Sequence, residues 1–239
     1  MLHHPVPRLL LLLLLTSMGC VPGGWPPQGE NFGKFVGNVV ARWDDSGREM
    51  VLTEPFAYID PEGNKWDAPV GSVIDGASIP KFAWSFIGGP FEGKYRNASV
   101  IHDVACHQKQ RPWDKVHETF YYAMRASGVD DGLAGTIYGA VYYFGPRWEE
   151  AVTVQVANED VEKSVDAIKA KRDPKNRFDV VVDRPGVEPR RATIRVKITP
   201  PPKELSESDF EELRSLINKR AASGKLSLEE IRNFRPGQR

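Results

Sequence analysis

Apolar and polar positions change their period along the chain. From Lys34 to Asp67 the apolar residues form short β-branched and aromatic groups: residues 35–43, Met50-Val51-Leu52 and Phe56-Ala57-Tyr58-Ile59. Turn-forming runs separate them, Asp44-Asp45-Ser46-Gly47 and Pro61-Glu62-Gly63-Asn64, the second followed by Lys65-Trp66. This pattern predicts short antiparallel strands with a hairpin about the Pro/Gly turn. Residues 70–80, and again Gly88-Gly89-Pro90, read as loops.

From about Tyr95 to Phe144 the period becomes helical. Ala98, Ile101, His102, Ala105 and Cys106 share one face of a first helix. A second starts near Pro112 or Asp114, buries Val116, Phe120, Ala123 and Met124, and stops at Gly128. A third begins near Asp130 and is apolar on most sides, which predicts burial. Gly132, Gly135 and Gly139 weaken its helix propensity by roughly 1 kcal/mol each, so close helix packing is the expected compensation.

Residues 148–172 read as a long polar helix, although Thr153-Val154-Gln155-Val156 alternates like a strand. Residues 169–177 form a basic linker. Phe178–Val182 and Ala192–Ile198 predict paired strands, and Pro200-Pro201-Pro202 breaks the chain. Ser208 with Glu211, and Ser227 with Glu230, are capping-box patterns that open helices over 209–222 and 228–233. The expected fold is α+β: a small N-terminal antiparallel sheet packed on a helical layer, with a C-terminal β-hairpin and helix extension. Its parts are a leader (1–19), a tether (20–29), the α+β domain (30–150), a polar helix and linker (151–177), and the hairpin with two short helices (178–239). On this reading, the 30–150 core folds without residues 178–233.

The leader changes the picture of where the chain works. Arg8 precedes seven consecutive leucines, Leu9 to Leu15, and Gly19-Cys20 follows. The run is too short to span a bilayer, which needs ~20 apolar residues, and it fits the core of a secretory signal peptide. A small residue before Cys20 resembles the bacterial lipoprotein cleavage box, in which the enzyme cuts before the cysteine and its thiol carries lipid. The resemblance implies export, lipidation at Cys20, and a membrane partner in the cell envelope. Residues 21–29 (VPGGWPPQG) suit a short tether. Ordinary secretion is the alternative. With Cys20 lipidated, Cys106 is a free thiol.

Charge narrows the function classes. The 239 residues carry 32 Lys+Arg and 32 Asp+Glu, which speaks against a basic nucleic-acid binder. Hydrophobic residues at 41% exclude wholesale disorder.

Candidate chemistry gathers in residues 75–120. His102 and Cys106, at i and i+4, lie on one helix face. His117 reaches them if the next helix folds back, and one Cys with two His is a donor set that suits Zn²⁺. A second reading is nucleophilic or acid–base catalysis by Ser78, Asp75 and His102, with Asp103 and His117 alongside. Asp103 follows His102 directly, so the two side chains point about 100° apart, which argues against Asp103 orienting that imidazole. The third reading is structural: His102 hydrogen-bonds within an apolar helix face, Asp75 caps a turn, Cys106 is a small buried hydrophobe, and His107 and Glu118 face solvent.

The run Val73-Ile74-Asp75-Gly76-Ala77-Ser78-Ile79-Pro80, with Gly89-Pro90-Phe91, Tyr95, Val100-Ile101-His102-Asp103, Phe120, Ala123-Met124 and Gly128-Val129, resembles a bacterial and phage family. That family is the domain of unknown function 1353, and the resemblance covers about residues 35–148. It implies no established activity, but it implies that Asp75, Ser78, His102, Asp103 and His117 cluster. Ile74 stands where the family tends to have Thr, and His117 where it tends to have Asp. If the family site binds a metal, His117 keeps a ligand there; if that Asp orients a catalytic His, His117 does not replace it. The functional expectation is an envelope lipoprotein with a ligand- or partner-binding pocket around His102, lined by Ile79, Trp84 and Phe91. The alternative is an envelope hydrolase acting on peptidoglycan or peptide.

Overall fold

The structure is a computed structural model that describes residues 31–45, 47–76, 93–184, 191–201 and 205–237. The leader, the tether, Ser46, residues 77–92 (with Ser78, Ile79, Trp84 and Phe91) and Pro202 lie outside the described residues.

The described residues form an α+β fold. Six short strands come first: β1 (Lys34–Val36), β2 (Ala41–Trp43), β3 (Met50–Leu52), β4 (Phe56–Ile59), β5 (Lys65–Ala68) and β6 (Val73–Ile74). They pair antiparallel in two three-stranded sheets, ordered β1-β4-β5 and β2-β3-β6. The β4–β5 hairpin falls on the Pro/Gly turn as expected. Asp60 braces it: its Oδ1 accepts the Asn64 N–H at 2.7 Å, and its Oδ2 accepts the Trp66 indole N–H at 3.0 Å.

Three helices follow: α1 (Arg96–Gln108), α2 (Trp113–Ala126) and α3 (Asp131–Phe144). β5 and β6 pack on α1, and β1 packs on α2. The sequence boundaries hold because the stop and start signals are local. The Gly128 N–H bonds to the Arg125 carbonyl, and the Val129 N–H to that of Met124, with Gly128 at φ +77°. Those bonds satisfy the last carbonyls of α2 in a left-handed cap that only glycine adopts cheaply. Asp130 then caps α3 by accepting the Leu133 N–H at 2.9 Å.

Residues 150–157 depart from the predicted polar helix. They form strand β7 (Glu150–Ala157), and the helix that follows is the shorter α4 (Val161–Ala170). Val152, Val154 and Val156 alternate with polar residues, and β-branched side chains at period 2 suit one buried sheet face rather than a helix stripe. β8 (Arg177–Asp183) and β9 (Arg191–Thr199) form the expected C-terminal hairpin, and β9 also pairs with β7 to give the order β7-β9-β8. α4 covers this sheet, closing a small separate core of Val161, Ala192, Ile194, Val196 and Ile198.

The last two helices are α5 (Glu207–Ala222) and α6 (Leu228–Arg232). The cap of α5 is Ser206 with Asp209, two residues before the predicted Ser208–Glu211 box. No side-chain bond from Ser227 caps α6. Both helices lie on the glycine face of α3. A Cβ built on Gly135 would stand 2.7 Å from Leu226 Cδ2 and 3.0 Å from Ile217 Cγ2. The close approach expected from those glycines is therefore with the C-terminal helices. Phe210, Leu213, Ile217 and Ile231 join the same core as Phe120, Ile137 and Tyr138.

A core that ends at α3 is thus left open on one side. Removing residues 200–239 deletes four fully buried side chains, about 6–12 kcal/mol at ~1.5–3 kcal/mol each. That is comparable to the ~5–15 kcal/mol stability of a whole domain. A chain ending at Thr199 should show no cooperative thermal transition by circular dichroism. A transition like that of the full chain would show the extension to be dispensable.

Candidate functional site

The connection between α1 and α2 runs from Lys109 to Pro112, and it brings His102 and His117 together across a helical hairpin. Lys109 ends α1 in the left-handed conformation, φ +51°, with its N–H on the Ala105 carbonyl at 3.0 Å. The Arg111 guanidinium donates to the Lys65 carbonyl at 2.7 Å and lies over the Trp66 ring at 4.1 Å. The Trp148 indole N–H donates to the Arg111 carbonyl at 3.0 Å. The turn is therefore pinned both from β5 and from the segment that joins α3 to β7.

His102 Nε2 lies 2.9 Å from His117 Nδ1. Cys106 Sγ, one turn after His102, is 3.6 Å from His102 Nε2 and 3.9 Å from its Nδ1. The three donor atoms lie within 4.8 Å of one another. All three side chains are buried, His102 and His117 at 1% and 0% exposure. Phe120 stacks on the His102 ring at 4.5 Å, and Trp113 meets His117 edge-on at 5.7 Å.

The tautomers follow from the partners. His117 Nε2 faces the Pro146 carbonyl oxygen at 3.1 Å, and a carbonyl only accepts, so Nε2 carries the proton. With both buried rings neutral, Nδ1 of His117 presents a lone pair and His102 Nε2–H donates to it. Burial pushes the His102 pKa from 6.5 down to about 3. Burial, and then the charges of Asp103 and Asp75, push the Cys106 thiol up. Without a bound ion, His102 is thus a poor proton acceptor and Cys106 is a thiol rather than a thiolate.

The structure sorts the residues singled out in the sequence. His102, Cys106 and His117 converge, as the metal reading requires. Asp103 Oδ1 is 4.0 Å from His102 Nδ1, beyond hydrogen-bond length, in keeping with the angular argument from the sequence. Its Oδ2 instead accepts the Gly76 N–H at 2.9 Å and ties the end of β6 to α1. Asp75 is half-exposed and lies 3.8 Å from the exposed His107; it acts on the His–Cys–His cluster only through its charge on Cys106. Ser78 lies outside the described residues. Glu118 was expected to face solvent, but its side chain is 15% exposed and pairs with Lys115 and Arg232. Two elements of the site had no signal in the sequence, the Pro146 carbonyl and the Gly76 N–H held by Asp103. Both act through the backbone, which any residue type supplies.

A cleft of about 230 Å³ lies along the same helix, lined by Trp66, Pro69, Ile101, Ala105, Gln108 and Arg111 among others. Its lining mixes apolar side chains with amides and charges.

The fold and the buried His–Cys–His seam define a small α+β domain with a sealed polar cluster at its centre. Residues 50–141 match the family described as "Protein of unknown function (DUF1353)", in agreement with the resemblance drawn from the motifs. The chain is similar to the uncharacterized protein y4jT of Sinorhizobium fredii, 44% identical over 132 residues, 54% of this chain and 39% of that one. It is also similar to the uncharacterized protein y4iH of the same organism, 42% identical over 98 residues, 41% of each chain. The chain spans about two fifths of the length of these relatives. No solved structure matches it significantly.

Two predictions follow from the cluster. His117→Ala leaves the Pro146 carbonyl and the His102 N–H without partners, and should cost about 2–5 kcal/mol in denaturant unfolding. A loss below about 0.5 kcal/mol would contradict the bonding described. The pH prediction concerns His102. Unfolded, the imidazole takes a proton below its ordinary 6.5; folded, it resists until about 3. The folded state is therefore unaffected by this group above pH 6.5 and loses stability as pH falls below it, by up to about 1.4 kcal/mol per unit. In protein stripped of metal with EDTA, melting measured from about pH 7 to about pH 5 should decline in the wild type and decline less in His102→Gln. Equal slopes would contradict the assignment.

Proposed function

We propose that the chain is an exported envelope protein, cut before Cys20 and held on a membrane by lipid on that cysteine, whose folded domain binds a ligand or partner. The N-terminal run from Arg8 through Leu9–Leu15 to Gly19-Cys20 supports the export and the anchor. Among the described residues no helix is long and apolar enough to cross a membrane, so the lipid supplies the attachment in this reading. A single acyl chain holds a protein only reversibly, and stable anchoring needs more than one. The multiple acylation of a bacterial lipoprotein cysteine meets that need.

The observation that carries binding over catalysis is the burial of His102. A general base or nucleophile partner must reach substrate within about 2.6–3.2 Å, whereas this ring is covered by Phe120 and bonded to His117. The accessible feature on the same helix is the cleft between Trp66 and Ile101, where Trp66, Pro69 and Ile101 stand beside the polar groups of Gln108, Gln110 and Arg111. Its size suits one polar moiety, such as a sugar unit or a partner side chain, rather than a whole cofactor.

Cell fractionation with labelled fatty acid tests the anchor. Wild type should be found in the membrane fraction and carry label, and Cys20→Ala should lose both. Unlabelled wild type in the cytoplasm would overturn the proposal. Purified wild type should also release no soluble fragments from peptidoglycan; turnover abolished by His102→Ala would establish the hydrolase instead.

A further inference from the structure

We propose that His102, Cys106 and His117 form a Zn²⁺ site that clamps α1 to α2. Nitrogen and sulfur donors exclude Ca²⁺ and Mg²⁺, which require oxygen, and suit Zn²⁺. Zinc bonds of ~2.0–2.1 Å to nitrogen and ~2.3 Å to sulfur, at tetrahedral angles, place N and S roughly 3.6 Å apart and two nitrogens roughly 3.3 Å apart. Cys106 Sγ and His102 Nε2 stand at 3.6 Å, and His102 Nε2 and His117 Nδ1 at 2.9 Å. The third pair, Cys106 Sγ and His117 Nδ1, closes the set at 4.8 Å, so the ion needs the two rings to part by a few tenths of an ångström and the Cys106 side chain to turn toward His117 by roughly 1 Å.

A zinc-bound histidine characteristically donates its other ring N–H to a carbonyl or carboxylate. His117 does so already through Nε2 and Pro146, which leaves the Nδ1 lone pair aimed at the cluster. On binding, Zn²⁺ takes the lone pairs of His102 Nε2, His117 Nδ1 and Cys106 Sγ. The Cys106 thiol gives its proton to solvent, one proton per ion. The His102 proton moves from Nε2 to Nδ1, on the side of Asp103 Oδ1, and the ring stays neutral. The thiolate and the buried Asp103 carboxylate together balance the two positive charges, which a buried ion requires. Water fills the fourth place. The i, i+4 pair on α1 and the single ligand on α2 make the ion a cross-link between the two helices.

The test uses the full chain purified in detergent without chelator. Elemental analysis should give about one Zn per chain. Replacement by Co²⁺ should produce a thiolate-to-cobalt charge-transfer band that Cys106→Ser abolishes. In competition with a chromophoric chelator, Cys106→Ala and His117→Ala should each lose roughly 100-fold or more in Zn²⁺ affinity, beyond the 10–100-fold typical of an outer-shell change. Cys106→Ala keeps the test open if His117→Ala fails to fold: stripped with EDTA, it should melt near stripped wild type, while added Zn²⁺ raises the melting temperature of wild type alone. Substoichiometric zinc, a missing charge-transfer band, unchanged affinity in Cys106→Ala, or a site filled by a different metal would overturn the assignment. None of these readouts depends on lipidation or on a bound ligand, so this proposal and the function proposed above fail separately.

Discussion

Two imidazoles and a thiol are buried in the seam between α1 and α2, and each buried donor and acceptor must be met. An unmet one costs about 1–3 kcal/mol, so this seam constrains the architecture around it. His117 requires a carbonyl at its outer nitrogen, and Pro146 delivers it from the end of α3. α3 holds its place through packing with α2 on one side and with α5 and α6 on its glycine face. Helices about a hundred residues away in sequence therefore help set a hydrogen bond at the centre of the domain. The aromatic side chains Phe120 and Trp113 then close the seam.

The same need joins the sheets to the helices. Asp103 is a buried carboxylate on α1, and it accepts the backbone N–H of Gly76 just past β6. Arg111 performs the corresponding task at the other end of α1, bonding β5 and stacking on Trp66. The cleft beside Ile101 is bordered by the second of these ties, with Lys65, Trp66 and Arg111 in its wall. A recess framed by fixed elements keeps its shape without a ligand, which lowers the ordering cost of binding. The sealed seam and the accessible cleft thus divide the labour on one helix: the first secures the fold and the second faces outward.

What could be read in the sequence was what depends on neighbours. The α1–α3 boundaries follow from Pro112, Gly128 and Asp130, whose effects act within one turn. The i, i+4 spacing placed His102 and Cys106 on one face, and a helical hairpin brought His117 to them. Residues 150–157 were harder, because Val152, Val154 and Val156 become a strand only through pairing with β9, about forty residues on. Ser206 and Ser208 each precede an acid by three residues, so the capping pattern alone did not choose between them; packing of Phe210 and Leu213 fixed the register. Gly135 announced a close neighbour but not its identity. The Pro146 carbonyl and the Gly76 N–H could not be read at all, since the backbone is the same at every position.

The segment that matches a family of unknown function, residues 50–141, holds α1, α2 and nearly all of α3, while α5 and α6 lie outside it. The His–Cys–His seam belongs to the matched part, and the helices that brace α3 on its glycine face do not. X-ray absorption at the zinc edge tests the central claim most directly. The account predicts a first shell with one sulfur at ~2.3 Å and two imidazole nitrogens at ~2.0–2.1 Å, completed by a single light atom. A shell of nitrogen and oxygen alone, with no sulfur scatterer, would contradict it.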